Sequence, residues 1–274
     1  MWWMDMPFEL ILDPRWVIVV ALASLVYGLL SPVVVARRLL FLAGALPHSA
    51  LLSALLAIIT VNLLGCPFEV CSVIFSLALV SMVSLLLSKG VKPDDATAIF
   101  VSVSVSLTTI ALYYILTTFP METSVWSYII GDPLLVTWDD VMFTASVSVV
   151  VFLLIAPFLR EHILIGVDRD FVRLSGIRAS IYDAMVVASL AVATVGLLKA
   201  VGFVVEHVMV LLPGITASSL ARSGRDAVLL GLLLSLAGGL SGLLLSVATG
   251  LAPSGVIGIM MLGFYLVSLL LRRR

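Results

Sequence analysis

The chain has 274 residues, 62% of them hydrophobic and only 11% charged, with a formal net charge of −1. A water-soluble domain carries about 25% charged residues, so the composition excludes an ordinary globular domain and reads as a polytopic membrane protein. A charge this close to zero gives no basis for a nucleic-acid partner.

The opening M-W-W-M-D-M-P-F-E-L lacks a basic n-region and a small-residue cleavage site, so it does not read as a removable signal peptide. Its tryptophans suit an interfacial anchor. Crossing about 30 Å of hydrocarbon takes roughly 20 apolar residues. Such runs occur at 14–36, 39–64, 68–88, 95–118, 138–159, 180–198, 201–220, 226–249 and 254–271. Nine spans is the best count. Pro213-Gly214 is expected to break the seventh, and eight spans is the alternative. The fold class is an all-α transmembrane bundle forming a single domain, 1–274.

Charged residues punctuate these runs. With nine alternating spans, every one of the 15 Lys and Arg except Arg15 and Lys199 falls on one side. The positive-inside rule then places the N-terminus outside and the C-terminus in the cytoplasm, in a cell (inner) membrane. On the outer side lies Cys66-Pro-Phe-Glu-Val-Cys71. Pro67 suits a first helical position, and Glu69 a first turn. Cys66 and Cys71 are too few for a disulfide framework or a zinc cage. They are open to reading as a disulfide pair, as a weak metal-entry site with Glu69, or as ordinary small residues. The second outer loop, 119–140, holds Trp126, Tyr128 and Trp138 and has room for a short interfacial helix. Asp139 and Asp140 read as solvated span-end charges. On the inner side 161–183 is the one sizeable polar stretch. A short amphipathic helix is expected from Asp170 to Leu174, with Gly176 as its C-terminal cap. It reads either as a docking element for a soluble partner or as a plain connection.

An ionisable pair, Glu206-His207, sits inside the apolar run 201–217. Each charge there costs roughly 2.5–3.5 kcal/mol on insertion scales, and such groups usually face a bundle interior or a watery path. A buried structural pair is the alternative. His48 lies about 15 Å into the second span from Arg38 at 1.5 Å per residue. Pro47 before it should disturb that helix. A kinked second span against a broken seventh would gather His48, Glu206 and His207 around one cavity. Two imidazoles and a carboxylate suit zinc, and also manganese or iron. Adjacent helical positions lie about 100° apart, so Glu206 and His207 share a cavity only if it is wide. His162, beside Glu161, reads as solvated. Serines and threonines of the fourth span, such as Ser102 and Thr109, are expected to bond across helices. The chain contains no G-x-x-x-x-G-K-[ST], H-E-x-x-H or G-x-S-x-G, so neither its own ATP hydrolysis nor an intramembrane hydrolase is expected. It reads as a transporter, not an enzyme.

Five segments carry a resemblance. Val201-Gly202 leads through an apolar run to P-G-I-T-A at 213–217. A-G-A-L-P-H-S-A-L-L occupies 43–52, P-D-D-A-T-A-I 93–99, and S-Y-I-I-G-D-P-L-L-V 127–136. The polar stretch 168–183 is the fifth. In this order they resemble the permease subunits of zinc, manganese and iron importers of the ATP-binding-cassette class (ABC-3 type). The resemblance implies a homodimer around a central pathway, with two cytoplasmic ATPase subunits supplying ATP hydrolysis. An extracytoplasmic metal-binding protein would deliver the ion. It makes 169–180 the coupling element, with Arg169, Asp170, Phe171, Arg173, Leu174 and Gly176, and it makes His48 a residue of the metal pathway. Two departures stand out. The family's second-span aspartate aligns with Gly44. Glu206 and His207 stand where the family has an aliphatic and a small residue. The acidic ligand is therefore expected to have moved to the seventh span. A proton-coupled secondary carrier or channel is the alternative function, and a structural membrane protein the third.

Overall fold

The structure, a computed structural model, describes residues 12–119, 131 and 133–271. Among the described residues the chain is helical and contains no strand. Ten α-helices follow in order: α1 (Pro14–Ala36), α2 (Leu40–Leu64), α3 (Phe68–Ser88), α4 (Pro93–Thr118), α5 (Trp138–Ile155), α6 (Leu159–Val167), α7 (Arg169–Leu174), α8 (Ala179–Leu220), α9 (Gly224–Thr249) and α10 (Pro253–Leu271). Single 3₁₀ turns occupy Pro133–Leu135 and Ala156–Phe158. The interfacial helix expected around Trp126 and Tyr128, the N-terminal tryptophans and Arg272, Arg273 and Arg274 lie outside the described residues.

Local chemistry marks the helix ends. Asp13 accepts from the Arg15 amide at 2.9 Å and Pro14 takes the first helical position, where its missing N–H costs nothing. The Arg15 side chain, hydrogen-bonded to Asp13, holds the Asp13 carboxyl below its ordinary range. Thr137 and Asp140 form a reciprocal capping box at the start of α5. Ser223 caps α9, accepting from the Asp226 amide.

Among the described residues eight helices are long and apolar enough to cross a membrane. One of them, α8, has 42 residues. It would measure about 63 Å at 1.5 Å per residue, twice the hydrocarbon thickness. Gly202 resolves this. Its backbone sits at φ 80°, ψ 157° inside the helix, a region open essentially to glycine alone. On the segment before it, α8a (179–201), Asp183 pairs with Arg37 past the end of α1, and Lys199 reaches Asp140 at the start of α5. On the segment after it, α8b (203–220), Glu206 meets Tyr27, Gly214 meets Ser31, and Ser219 meets Ser268 near the end of α10. So α8a runs away from the Arg37 end and α8b returns toward it. Among the described residues the helices make nine passes, with no loop between the sixth and seventh.

The break therefore falls at Gly202 and not at Pro213-Gly214, where the helix continues. Pro213 cannot donate, but Ser31 serves its neighbours. The Ser31 hydroxyl accepts from the Gly214 amide at 2.8 Å and donates to the Leu211 carbonyl at 3.1 Å. Helix α2 likewise runs unbroken through buried Pro47. Transmembrane helices absorb proline when packed neighbours hold them.

Helices α1, α2 and α8 form the buried centre, while α3, α4 and α10 present apolar side chains outward. Close approach binds α9 to α1. A Cβ on Gly28 would lie 2.8 Å from Leu232 Cα, and one on Gly231 2.5 Å from Pro32 Cγ. Small residues at facing positions are how membrane helices gain packing without a hydrophobic driving force.

Candidate functional site

The reversal at Gly202 sets α8b against both α1 and α2, and each neighbour receives a different side chain. Toward α2, the rings of His48 and His207 meet with centroids 5.3 Å apart at 77°. Phe203 stands edge-on to both, at 5.1 Å from His48 and 4.7 Å from His207. His207 Nδ1 lies 2.8 Å from the Phe203 carbonyl. A carbonyl only accepts, so Nδ1 is the donor here, which in the neutral ring leaves the lone pair on Nε2. Both histidines are partly exposed, while Pro47, Ser49 and Glu206 beside them in sequence are buried. Zinc–nitrogen bonds of about 2.0–2.1 Å, related tetrahedrally, put imidazole centres roughly 5 Å apart. The observed separation fits that spacing.

Toward α1, Glu206 is fully buried. The Tyr27 hydroxyl donates to its Oε1 at 2.6 Å, while Oε2 has no partner among the described residues. The structure thus joins two of the three expected ligands and turns the third away. Among the described residues no group of three or more His, Cys, Asp or Glu could hold a metal ion. The cause is angular. Adjacent helical positions diverge by about 100°, and α1 and α2 flank α8b on different sides.

At the start of α3 the Cys66 thiol lies beside that of Cys71, apart from the histidine pair. Glu69 is exposed in the first turn of α3 and lines a small cleft with Asp140 and Lys199. Asp140 is not a solvated span-end charge, because Lys199 binds its Oδ1 at 2.7 Å. Cys66 is half-buried, Cys71 is buried, and both thiols are free. Ser102 and Thr109 bond to their own helix at the i−4 carbonyls, not across helices.

At the opposite end, α7 stands as a separate short helix. Asp168 Oδ1 accepts from the Phe171 amide at 2.9 Å, and Gly176 ends the turn at φ 79°. Val172 packs inward with Ile165 and Ala179. Asp170, Phe171 and Leu174 point outward, with Phe171 59% and Leu174 89% exposed. Arg169 pairs with Asp183, whose other oxygen pairs with Arg37. Burial pulls the Arg37 guanidinium below its usual value, and the Asp183 carboxylate opposes this. His162 is fully buried and not solvated. Helix α6 folds onto the end of α1, where Gly166 touches the Ala36 carbonyl. This seats His162 with Nδ1 3.2 Å from an Arg37 nitrogen and its ring edge-on to Tyr182 at 5.6 Å.

Tyr27, Phe203 and Asp183 are absent from the ligand and coupling sets read from sequence. A lone phenol in the first apolar run is the one signal that pointed to Tyr27, since a buried hydroxyl requires a partner.

Comparison with known proteins decides the lineage. Residues 10–272 match the ABC 3 transport family. The chain belongs to that family. It is 24% identical over 246 residues to the manganese import system permease protein ScaB of Streptococcus parasanguinis, covering 89% of this chain and 85% of that one. It is 27% identical over 242 residues to the high-affinity zinc uptake system membrane protein ZnuB of Buchnera aphidicola, covering 85% and 88%. A chain of PsaBC from Streptococcus pneumoniae, solved in complex with Fab, superposes with a TM-score of 0.80 at 21% identity, over 93% of this chain and 89% of that one. The fold is therefore shared. As an ABC 3 family member with eight membrane-length apolar helices, the chain is a multi-pass transport permease.

Proposed function

We propose that this permease carries a divalent metal ion inward, zinc or manganese first and iron third, driven by a separate cytoplasmic ATPase. The observation that carries the reading is the facing pair His48 and His207 in the interior, at a spacing that suits a shared ion. Relatives named for manganese and zinc transport support the cargo. Two imidazoles form a borderline-soft site, and an incomplete shell suits transit, because an ion held by water and few protein ligands leaves readily. Glu206 is the reserve ligand of this reading, reaching the pair only when Tyr27 releases it. Glu69, with Cys66 and Cys71, flanks the entry.

The exposed Phe171 and Leu174, with Arg169, Asp170, Arg173 and Gly176, form the docking element for the ATPase. Among the described residues the basic positions other than Arg15 and Lys199 gather at the Arg37 end, which supports a cytoplasmic location for that end. A homodimer and an extracytoplasmic metal-binding protein complete the importer, in the cell (inner) membrane.

Radiolabelled zinc and manganese uptake into vesicles containing this chain and its ATPase tests the proposal. Uptake is expected to require ATP hydrolysis and to fall at least tenfold in His48→Ala and His207→Ala. Uptake that persists with a hydrolysis-dead ATPase would make the chain a secondary carrier. Uptake unchanged in His48→Ala, His207→Ala and Glu206→Gln would remove the site.

A further inference from the structure

At the Arg37 end, the start of α9 and the helix α6 that follows α5 leave a groove of about 610 Å³ between them. Its floor is closed where Gly224 meets Ile163, since a Cβ there would lie 2.9 Å from the isoleucine side chain. Its walls are apolar, including Leu164, Val228 and Leu229. Two arginines stand on its rim, Arg160 on α6 and Arg225 on the first turn of α9. Both are exposed, and among the described residues neither makes a hydrogen bond or ion pair. Glu161 and Asp226, their neighbours in sequence, do not line the groove.

The height of the rim matters. The membrane-length helix α5 ends at Ile155, five positions before Arg160, and α9 begins at Gly224, one before Arg225. Both guanidiniums therefore sit where apolar helix gives way to headgroups. A soluble anion would use the charges but leave the walls wet. An apolar peptide would use the walls but leave two cations unanswered. A molecule with an anionic head and an acyl tail satisfies both. Basic pockets between membrane helices select such lipids, and guanidinium binds phosphate oxygens in pairs.

We infer that the groove between α6 and α9 is a binding site for one anionic phospholipid, its phosphate held by Arg160 and Arg225 and an acyl chain lying along Leu164, Val228 and Leu229. The bound lipid ties α6, which rests on the end of α1, to the first turn of α9.

Native mass spectrometry of the full chain in mild detergent, with equal amounts of phosphatidylglycerol and phosphatidylcholine of the same acyl chains, tests this. One phosphatidylglycerol is expected to be retained with roughly tenfold or greater preference, the order expected for two arginines at a membrane surface. The double variant Arg160→Gln/Arg225→Gln should bring the two lipids to parity, and Leu229→Trp, which narrows the wall, should lower both. Lys92→Gln, an exposed cation at the same end, should change nothing. Equal retention of the two lipids by the unaltered chain overturns the inference, as does a preference that survives the double variant. Displacement of the adduct by glycerol 3-phosphate at equal concentration would mark a soluble phosphate site and overturn it too. Efficient crosslinking between copies through Leu229→Cys, in a chain with Cys66 and Cys71 replaced by serine, would assign the groove to a subunit interface instead.

Discussion

The Tyr27 hydroxyl donates to Glu206 Oε1 at 2.6 Å across 179 positions of sequence, with both residues fully buried. With the two Ser31 bonds it links α8b to α1, and it engages the carboxyl on the side away from the histidine pair. Tyr27→Phe leaves the fully buried Glu206 without that donor. Interhelical bonds in membranes average about 0.6 kcal/mol, but an orphaned buried acceptor costs about 1–3 kcal/mol. A loss near the top of that range is expected in thermal or SDS unfolding. The double variant Tyr27→Phe/Glu206→Leu should recover part of it, and a coupling energy below about 0.5 kcal/mol would count against the bond.

Gly202 combines a glycine-only backbone with a close neighbour. A Cβ on Gly131 would lie 2.0 Å from Gly202 Cα, so Gly131 rests directly on the reversal. Gly202→Ala is expected to cost at least about 2–3 kcal/mol and to abolish stable insertion. Gly65→Ala provides the contrast, since φ is 68° there but nothing lies within 4 Å. It should cost roughly 1–2 kcal/mol. Melting temperatures of the two purified variants check the order.

Asp183 joins a buried arginine to an exposed one. The Arg37 side chain is 3% exposed and that of Arg169 49%. Asp183→Asn should therefore cost about 3–5 kcal/mol, because it strands a buried charge. Arg169→Gln should cost less than about 1 kcal/mol. If the α7 docking element transmits motion through Asp183, Arg169→Gln should still lower uptake per ATP hydrolysed while leaving the melting temperature nearly unchanged.

His48→Ala and His207→Ala are each expected to lower zinc affinity at least tenfold in equilibrium dialysis, with little effect on stability because both rings are partly exposed. Cys66→Ser and Cys71→Ser should leave affinity at the histidine pair unchanged. An equal effect from the cysteines would move the principal site to the start of α3.

The two histidines and the glutamate show where reading the sequence stops. Their presence in apolar runs was plain, since the cost of an ionisable group in hydrocarbon belongs to the residue and its immediate neighbours. Which helix each one faces was not, because that depends on azimuth and on what packs alongside. Tyr27 could announce a need for a partner but not that Glu206 would meet it.

The same division runs through the fold. Sequence alone determined the approximate span positions and the sorting of basic residues to one end, while the structure begins two helices at Pro93 and, behind the Ser223 cap, Gly224, slightly before the expected 95 and 226. Hydropathy sums along a segment, and caps act within one turn. Only the tertiary structure decided that the chain reverses at Gly202 while Pro213 stays helical. Ser31, 183 positions away from Gly214, supplies the bonds that Pro213 disrupts, and no local pattern encodes that meeting. Only the tertiary structure buried His162 under Tyr182 and paired Asp140 with Lys199, because a polar residue's solvation is settled by whatever folds over it.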